Sequence, residues 1–262
     1  FTEASLNLAD DAELLEMMRA AGFIRVFLGI ETPVEASLKE AQKLQNTRRS
    51  LLESVQRIQS YGIEVMAGFI VGFDNDPEDV FDRQVEFIDE SAIPLAMVGL
   101  LQALPGTQLY RRLIREGRLV TEGSGDNMET RLNFIPKMDP ERLIEGYRSI
   151  LKRIYEREAY YDRVRRFLCQ YHPAIHMRRR LSDYRAFARS LVKQGLLEQK
   201  RRSYWKFIYD AATRYRHAFD IAVTLAIMGY HFEKITEKVL RRDPTEEGLN
   251  VGLFEPGMEQ SI

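Results

Sequence analysis

Two apolar runs end in residues able to hold a ligand. Gly29-Ile30-Glu31-Thr32-Pro33 closes one run and turns into a helical pattern. A carboxylate there can accept hydrogen bonds from sugar hydroxyls or an amino group, and ligands of parallel α/β folds sit at the carboxyl ends of strands. The plainer role for Glu31 is a helix cap or a salt bridge. Gly68-Phe69-Ile70-Val71-Gly72 closes the other run. Glycines at alternate positions strip side chains from one face, so a flat ring or a ligand backbone can approach closely. Tight packing of a helix on the sheet would use the same glycines. Neither segment is a phosphate loop, since GxGxxG and GxxxxGK are both missing from the sequence. Gln102, just ahead of the turn Pro105-Gly106-Thr107, is a further polar candidate. So are Asn133 and Lys137, which flank Phe134-Ile135-Pro136; an ordinary turn and a linker strand explain these two segments equally well.

Other chemistries find less support. His172 and His176 have the spacing of helical metal ligands, but Pro173 lies between them and no acidic third ligand is near, so no metal site is expected. Tyr160, Tyr161, Tyr171, Tyr204, Trp205 and Tyr209 interleave with arginines and could stack on bases, although helix packing accounts for them more simply. Asp74 and Asp76 form an acidic pair, with Asp76 expected to cap a helix that begins at Pro77. The lone Cys169 excludes an internal disulfide and any Cys-only metal site held by this chain.

The elements that must position these residues follow from composition and patterning. The chain has 262 residues, 45% of them hydrophobic, enough for a sizeable core in one domain or two. The longest mostly apolar stretch, Ile221 to Met228, cannot span a bilayer. No secretory signal opens the sequence, so a cytoplasmic protein is expected. Residues 1–140 hold 14 basic against 23 acidic side chains, and residues 141–216 hold 20 against 8. Such a basic block suits an acidic partner or a solvated helical surface on the acidic half.

Phe1 to Leu8 alternates at once, with Glu3, Ser5 and Asn7 on one face, and reads as a strand. A strand without lead-in suggests a sequence that begins inside a domain. Helices are expected from Asp10 to Gly22, over 34–44, over 48–61 with Asn46 or Thr47 as cap, from Asp76 to Ser91, and over 108–115. Strands are expected at 24–30, 63–72 and 95–104. Continuous apolar strands separated by helices indicate a parallel sheet, either doubly wound or a barrel. Polar alternate positions on the first two strands favour a ligand-holding barrel. Residues 118–130 read as a loop and 132–136 as an extended segment. Beyond Asp139, helices are expected at 140–155, 157–169, 183–195, 203–217 and 219–240, with 243–262 as a loose tail. The reading is therefore α/β, with residues 1–138 as the later strands of a partial (βα)6 TIM-like barrel and 139–242 as an all-α extension.

Four segments carry a family resemblance: FTEASLNLADDAELLEMMRAAGFIRVFLGIETP, EVMAGFIVGF, LLQALPGTQLYRRLIREGRL and NFIPKMDPERLIEGYRSILKRIYE. Together, in this order, they resemble the later half of a radical S-adenosylmethionine (SAM) enzyme. The match is to the class with a cobalamin-binding domain and a helical C-terminal extension, which includes hopanoid methylases and protoporphyrin ester cyclases. The resemblance implies that the chain's strands are the third to sixth of the barrel. It implies that Glu31 sits by the ribose or methionine part of SAM, that Ile70 and Gly72 pack on adenine, and that Ser5, Gly29 and Gly68 complete the cofactor side. Glu3, Asn7, Gln102, Asn133 and Lys137 would face the substrate, a small molecule or lipid. No catalytic residue is assigned. The family's three-cysteine loop and Gly-Gly-Glu motif are missing from these residues, and one cysteine cannot hold a 4Fe-4S cluster. The cluster and cobalamin would therefore be held upstream, in an N-terminal part of the same polypeptide, and electrons would come from a ferredoxin or flavodoxin. The chain alone is expected to be inactive. The rival reading is a nucleic-acid or protein-binding module that uses the basic region 141–216. A hydrolytic α/β enzyme is disfavoured, because no nucleophile elbow is found.

Overall fold

The computed structural model describes residues 1–43, 50–121, 132–173 and 180–241. Four parallel strands stand in chain order: β1 (Thr2–Ala4), β2 (Arg25–Glu31), β3 (Glu64–Val71) and β4 (Leu95–Leu100). Between them run a 3-10 turn (Leu6–Asp10) with α1 (Ala12–Ala20), then α2 (Glu35–Glu40) and α3 (Leu51–Ser60), then α4 (Val80–Glu90). α5 (Gln108–Arg115) follows β4. The remaining helices are α6 (Pro140–Tyr155), α7 (Arg157–Gln170), α8 (Leu181–Val192), α9 (Arg201–Thr213) and α10 (Phe219–Arg241), with a π-helical turn at Lys193–Leu197.

Local chemistry sets most boundaries. The Asp11 carboxylate accepts from the Leu14 N–H at the start of α1, Thr107 does the same for Tyr110 in α5, and Asp139 for Arg142 in α6, where Pro140 takes the first turn. Gly22, Gly62 and Gly117 follow α1, α3 and α5 at positive φ. β2 alternates strictly, with Val26, Leu28 and Ile30 fully buried and Phe27, Gly29 and Glu31 partly open on the other face.

Three expectations are corrected. The first strand ends at Ala4 rather than Leu8. Leu6, Leu8 and Ala9 are drawn into the core by a 3-10 turn, so Ser5 and Asn7 leave the strand and hydrogen-bond to each other. Asp76 does not cap α4, which begins at Val80 after Asp79. Its carboxylate instead turns back to accept from the Gly72 and Phe73 N–H groups and the Ser37 hydroxyl. Ser50 caps α3; the expected caps Asn46 and Thr47 lie outside the described residues, as do the loop residues 122–130 and the tail 243–262.

The later helices are built into the sheet's flank. α6 packs on α4 and β4, and the buried Tyr155 hydroxyl donates to the Ala96 carbonyl at 2.6 Å. Arg163 of α7 is fully buried and reaches the Ile93 and Ile154 carbonyls and the Asp89 carboxylate. A buried cation needs all of its donors occupied, so these bonds fix α7 against the loop that leads into β4. No helix among the described residues is long and apolar enough to cross a membrane.

Candidate functional site

The open face of the sheet carries Phe27 and Gly29 of β2, Gly68 and Ile70 of β3, and Met97 and Gly99 of β4. Register makes this face a floor: Gly29 pairs with Gly68, Gly68 with Met97, and Ile70 with Gly99. With so few side chains, a cavity of about 300 Å³ remains, walled by Leu101, Gln102 and Leu104 after β4 and by Tyr147, Tyr155 and Phe232 of α6 and α10. That is the lower end of the range for small-molecule sites.

Glu31 sits at the rim. The ladder slips by one residue between Gly29 and Glu31, and Glu31 adopts φ 69°, a left-handed conformation that is costly for a residue with a side chain. Such strain concentrates at ligand sites. The Glu31 carboxylate meets the Lys43 ammonium at 2.9 Å. Beyond this pair lies a second, more open groove of about 800 Å³, which shares Glu31, Ile70 and Leu101 with the first and is lined by Lys43, Arg111, Arg112 and Arg115.

Of the residues singled out in the sequence, Gly29, Glu31, Gly68, Ile70 and Gln102 meet around the one cavity. Glu3 pairs in register with Phe27 but lies outside it, Ser5 immediately precedes the 3-10 turn and Asn7 is on it. Gly72 has φ 108°, past the end of β3, and faces Leu143 of α6 rather than the cavity. Asn133 is buried: its amide nitrogen donates to the Ala103 carbonyl and its oxygen accepts from the Ala103 N–H, copying a strand partner. Lys137 is exposed, 3.8 Å from Asp74.

Asp74 is the residue whose weight the sequence hid. Nearly buried, it accepts two hydrogen bonds from Arg118 and one from Arg112. Burial alone would raise its pKa, but the Arg118 hydrogen bonds and the charges of Arg118, Arg112 and Lys137 outweigh that and hold it below the ordinary value. Asp76, two residues on, goes the other way: burial raises its pKa despite the donors from Ser37, Gly72 and Phe73. These two carboxylates tie the loop after β3 to α2, α5 and the chain at Arg118. No motif announces them, because their partners lie about 40 residues away in sequence.

His172 stacks on His217, while His176 lies outside the described residues; no metal-ligand cluster occurs among the described residues. Tyr160, Tyr161, Tyr171 and Tyr204 are buried, which removes them as base-stacking platforms. A larger groove, about 1010 Å³, opens between α8 and α10 beside Ile24, at the amino end of β2. It is mostly apolar, with Arg180, Asp183 and Asp220 in its lining, and stands at the opposite end of the strand from Glu31; the smaller cavity is the one that combines a strained carboxylate with an open sheet face.

Similarity to known proteins agrees with this architecture. The chain is 38% identical over 251 residues to an uncharacterized methyltransferase of Synechocystis sp., covering 94% of this chain and 47% of that protein. It is 36% identical over 214 residues to the hopanoid C-2 methylase of Rhodopseudomonas palustris, covering 78% of this chain and 40% of the relative. It is 25% identical over 162 residues to the bacteriochlorophyllide d C-12(1)-methyltransferase of Chlorobaculum tepidum, covering 61% and 35%. The chain thus spans less than half the length of these relatives. Residues 107–244 match the family described as Domain of unknown function (DUF4070). With more than half of its length in that match, the chain belongs to the DUF4070 family, a C-terminal domain of the radical SAM, cobalamin class of enzymes.

Proposed function

We propose that this chain is the later portion of a radical SAM methyltransferase, supplying part of the cofactor-facing sheet and the helices that close the cavity. The observation that carries the reading is the convergence of Gly29, Glu31, Gly68, Ile70 and Gln102 on one cavity at the carboxyl ends of β2 to β4. Relatives named as methyltransferases support it. In this reading the four strands, parallel and in chain order, are the later strands of a partial (βα)6 barrel, with residues 1–138 as its share and 139–242 as the helical extension.

The residues fit SAM in part. Glu31 offers a carboxylate to ribose hydroxyls or to the methionine ammonium, and Gly29 and Gly68 leave the sheet face low enough for a flat ring beside Ile70. Bound SAM, cleaved with one electron from the cluster held elsewhere in the polypeptide and releasing methionine, would supply hydrogen-atom abstraction from a substrate carbon. The residues do not fit the cluster: the sequence has one cysteine, and three thiolates are needed. No residue here is assigned to cobalamin or to a ferredoxin or flavodoxin, which belong to the proposal for the whole protein. This chain's own part is to bind, orient and exclude water. Lys43 neutralises Glu31 until a ligand's donors replace it, and Tyr147, Tyr155 and Phe232 keep the inner cavity dry.

The test is Glu31→Gln in the full-length polypeptide loaded with its cluster. SAM affinity measured by calorimetry is expected to weaken by roughly 1–3 kcal/mol, as a charge-assisted hydrogen bond becomes a neutral one. Unchanged affinity removes Glu31 from the cofactor site.

A further inference from the structure

α8, the π-helical turn and α9 present an apolar surface that faces away from the protein. On α8, Leu181, Ala188 and Val192 share one stripe at helical spacing and are exposed, while Phe187, Ser190 and Leu191 point inward and Tyr184 lines the groove shared with α10. The turn adds Leu196 and Leu197, 61% and 77% exposed, among the most open large apolar side chains described. α9 adds Trp205 and Tyr209, one turn apart. The pieces are held as one surface: the Ser190 and Tyr204 hydroxyls meet at 2.7 Å, and the Trp205 indole N–H donates to the Gly195 carbonyl at 3.0 Å. Folding has not buried these side chains, and a solvated surface gains nothing from displaying two adjacent leucines beside a tryptophan.

The charges around them have one sign. Arg185, Arg189, Lys193, Arg201, Arg202 and Lys206 are all exposed, and none pairs with a carboxylate among the described residues. Asp183 is spent on the Arg180 N–H at the start of α8, and Glu198 turns toward Tyr230 and Lys234 of α10. Lysines and arginines flanking exposed leucine, tryptophan and tyrosine are the composition of a surface that seats in a lipid headgroup layer. Trp205 and Tyr209 could stack on bases, but Leu196 and Leu197, at 61% and 77% exposure, offer a base no π-face and have a use only in an apolar layer.

We propose that the α8–α9 face docks on an anionic bilayer surface, with Leu196, Leu197 and Trp205 entering the headgroup layer and the six cations held by acidic lipid. This is independent of the cavity on the sheet. It also gives a use to six of the twenty basic residues of 141–216, while others, such as Arg157, Arg163 and Arg165, are paired with carboxylates inside the protein.

Trp205 is the chain's single tryptophan, so its emission reports directly on the face. In the full-length polypeptide, phosphatidylcholine vesicles containing phosphatidylglycerol are expected to carry the protein upward in a sucrose flotation gradient, and in this chain they are expected to shift the Trp205 emission to the blue. Phosphatidylcholine alone should do neither. Arg201→Gln with Arg202→Gln should weaken binding roughly fivefold per arginine. Leu196→Ser with Leu197→Ser should abolish the blue shift while leaving the circular dichroism and thermal midpoint unchanged. Failure to float with anionic vesicles at low salt overturns the proposal, as does a leucine pair variant that binds them as the parent does. Tighter binding to single-stranded RNA than to vesicles, indifferent to the leucine pair, would assign the face to nucleic acid instead. A dimer that dissociates in the leucine variant would assign it to a second copy.

Discussion

Gly29 lies directly beside Gly68 in the parallel ladder between β2 and β3, one residue without a side chain against another. The space they leave is partly claimed. A methyl on Gly68 would come within 3.1 Å of the tip of the Phe27 ring, and one on Gly29 would come within 2.8 Å of the Glu31 carboxylate. The two glycines lower the cavity floor, and the Phe27 ring and the Glu31 carboxylate lean into part of the space they leave.

A double-mutant cycle measures this. Gly68→Val is expected to lower the unfolding free energy by about 1–3 kcal/mol through overpacking against Phe27. Added to Phe27→Ala, the same substitution should cost less, with a coupling above about 0.5 kcal/mol in urea denaturation. Strict additivity would mean that the ring does not use the space over Gly68.

Gly72 and Gly106 separate backbone strain from crowding. Both have positive φ, 108° and 81°. A Cβ on Gly106 meets nothing within 4 Å, whereas one on Gly72 meets Leu143 at 3.2 Å and Leu101 at 3.5 Å. Gly106→Ala should cost about 1 kcal/mol, from conformation alone. Gly72→Ala should cost more, about 2–3 kcal/mol, because Leu143 of α6 must also give way. Equal midpoint shifts in thermal melts would show that α6 yields freely there.

These glycines mark what the sequence can and cannot convey. Strand–helix alternation, the start of α1 after Asp10-Asp11, the turn Pro105-Gly106-Thr107 ahead of α5 and the long helices were legible, since each rests on a local pattern of a few residues. The early end of β1 was not: Leu6 and Leu8 fit a strand's alternation as well as they fit a 3-10 turn, and only the core decides between them. Gly72 shares the alternation of Gly68 and Ile70, yet one positive φ after β3 turns it toward α6. Asn133 carries a binding residue's chemistry but spends both ends of its amide on Ala103. The distinction between a polar group that awaits a ligand and one already occupied lies in the partner, and partners distant in the chain leave no local signal.

Asp74 gives the clearest dependence on pH. Its carboxylate holds Arg118 at 2.7 and 2.8 Å and Arg112 at 3.1 Å, which joins the loop after β3 to α5 and to the strand-like segment at Leu119 and Phe134. Its pKa in the folded chain lies below the ordinary 3.8, so the folded state prefers the ionised form. A depressed folded value means that this stabilisation is fully present above the unfolded pKa and is lost as pH falls through the folded one. Asp76 and Glu64 have raised values, both through burial first, and act in the opposite sense: ionisation in the folded state is unfavourable for them, and acid relieves it. Total stability against pH therefore mixes the two signs, and only a difference isolates Asp74. Asp74→Asn should lower the unfolding free energy by about 1.5–3 kcal/mol near neutrality, the range for a lost hydrogen bond to a charged group. The gap between parent and variant should hold down to roughly pH 4 and then close as the parent's carboxylate is protonated, because the asparagine has no proton to take up. A gap that stays constant through the acid range would show that Asp74 stabilises by shape and not by charge.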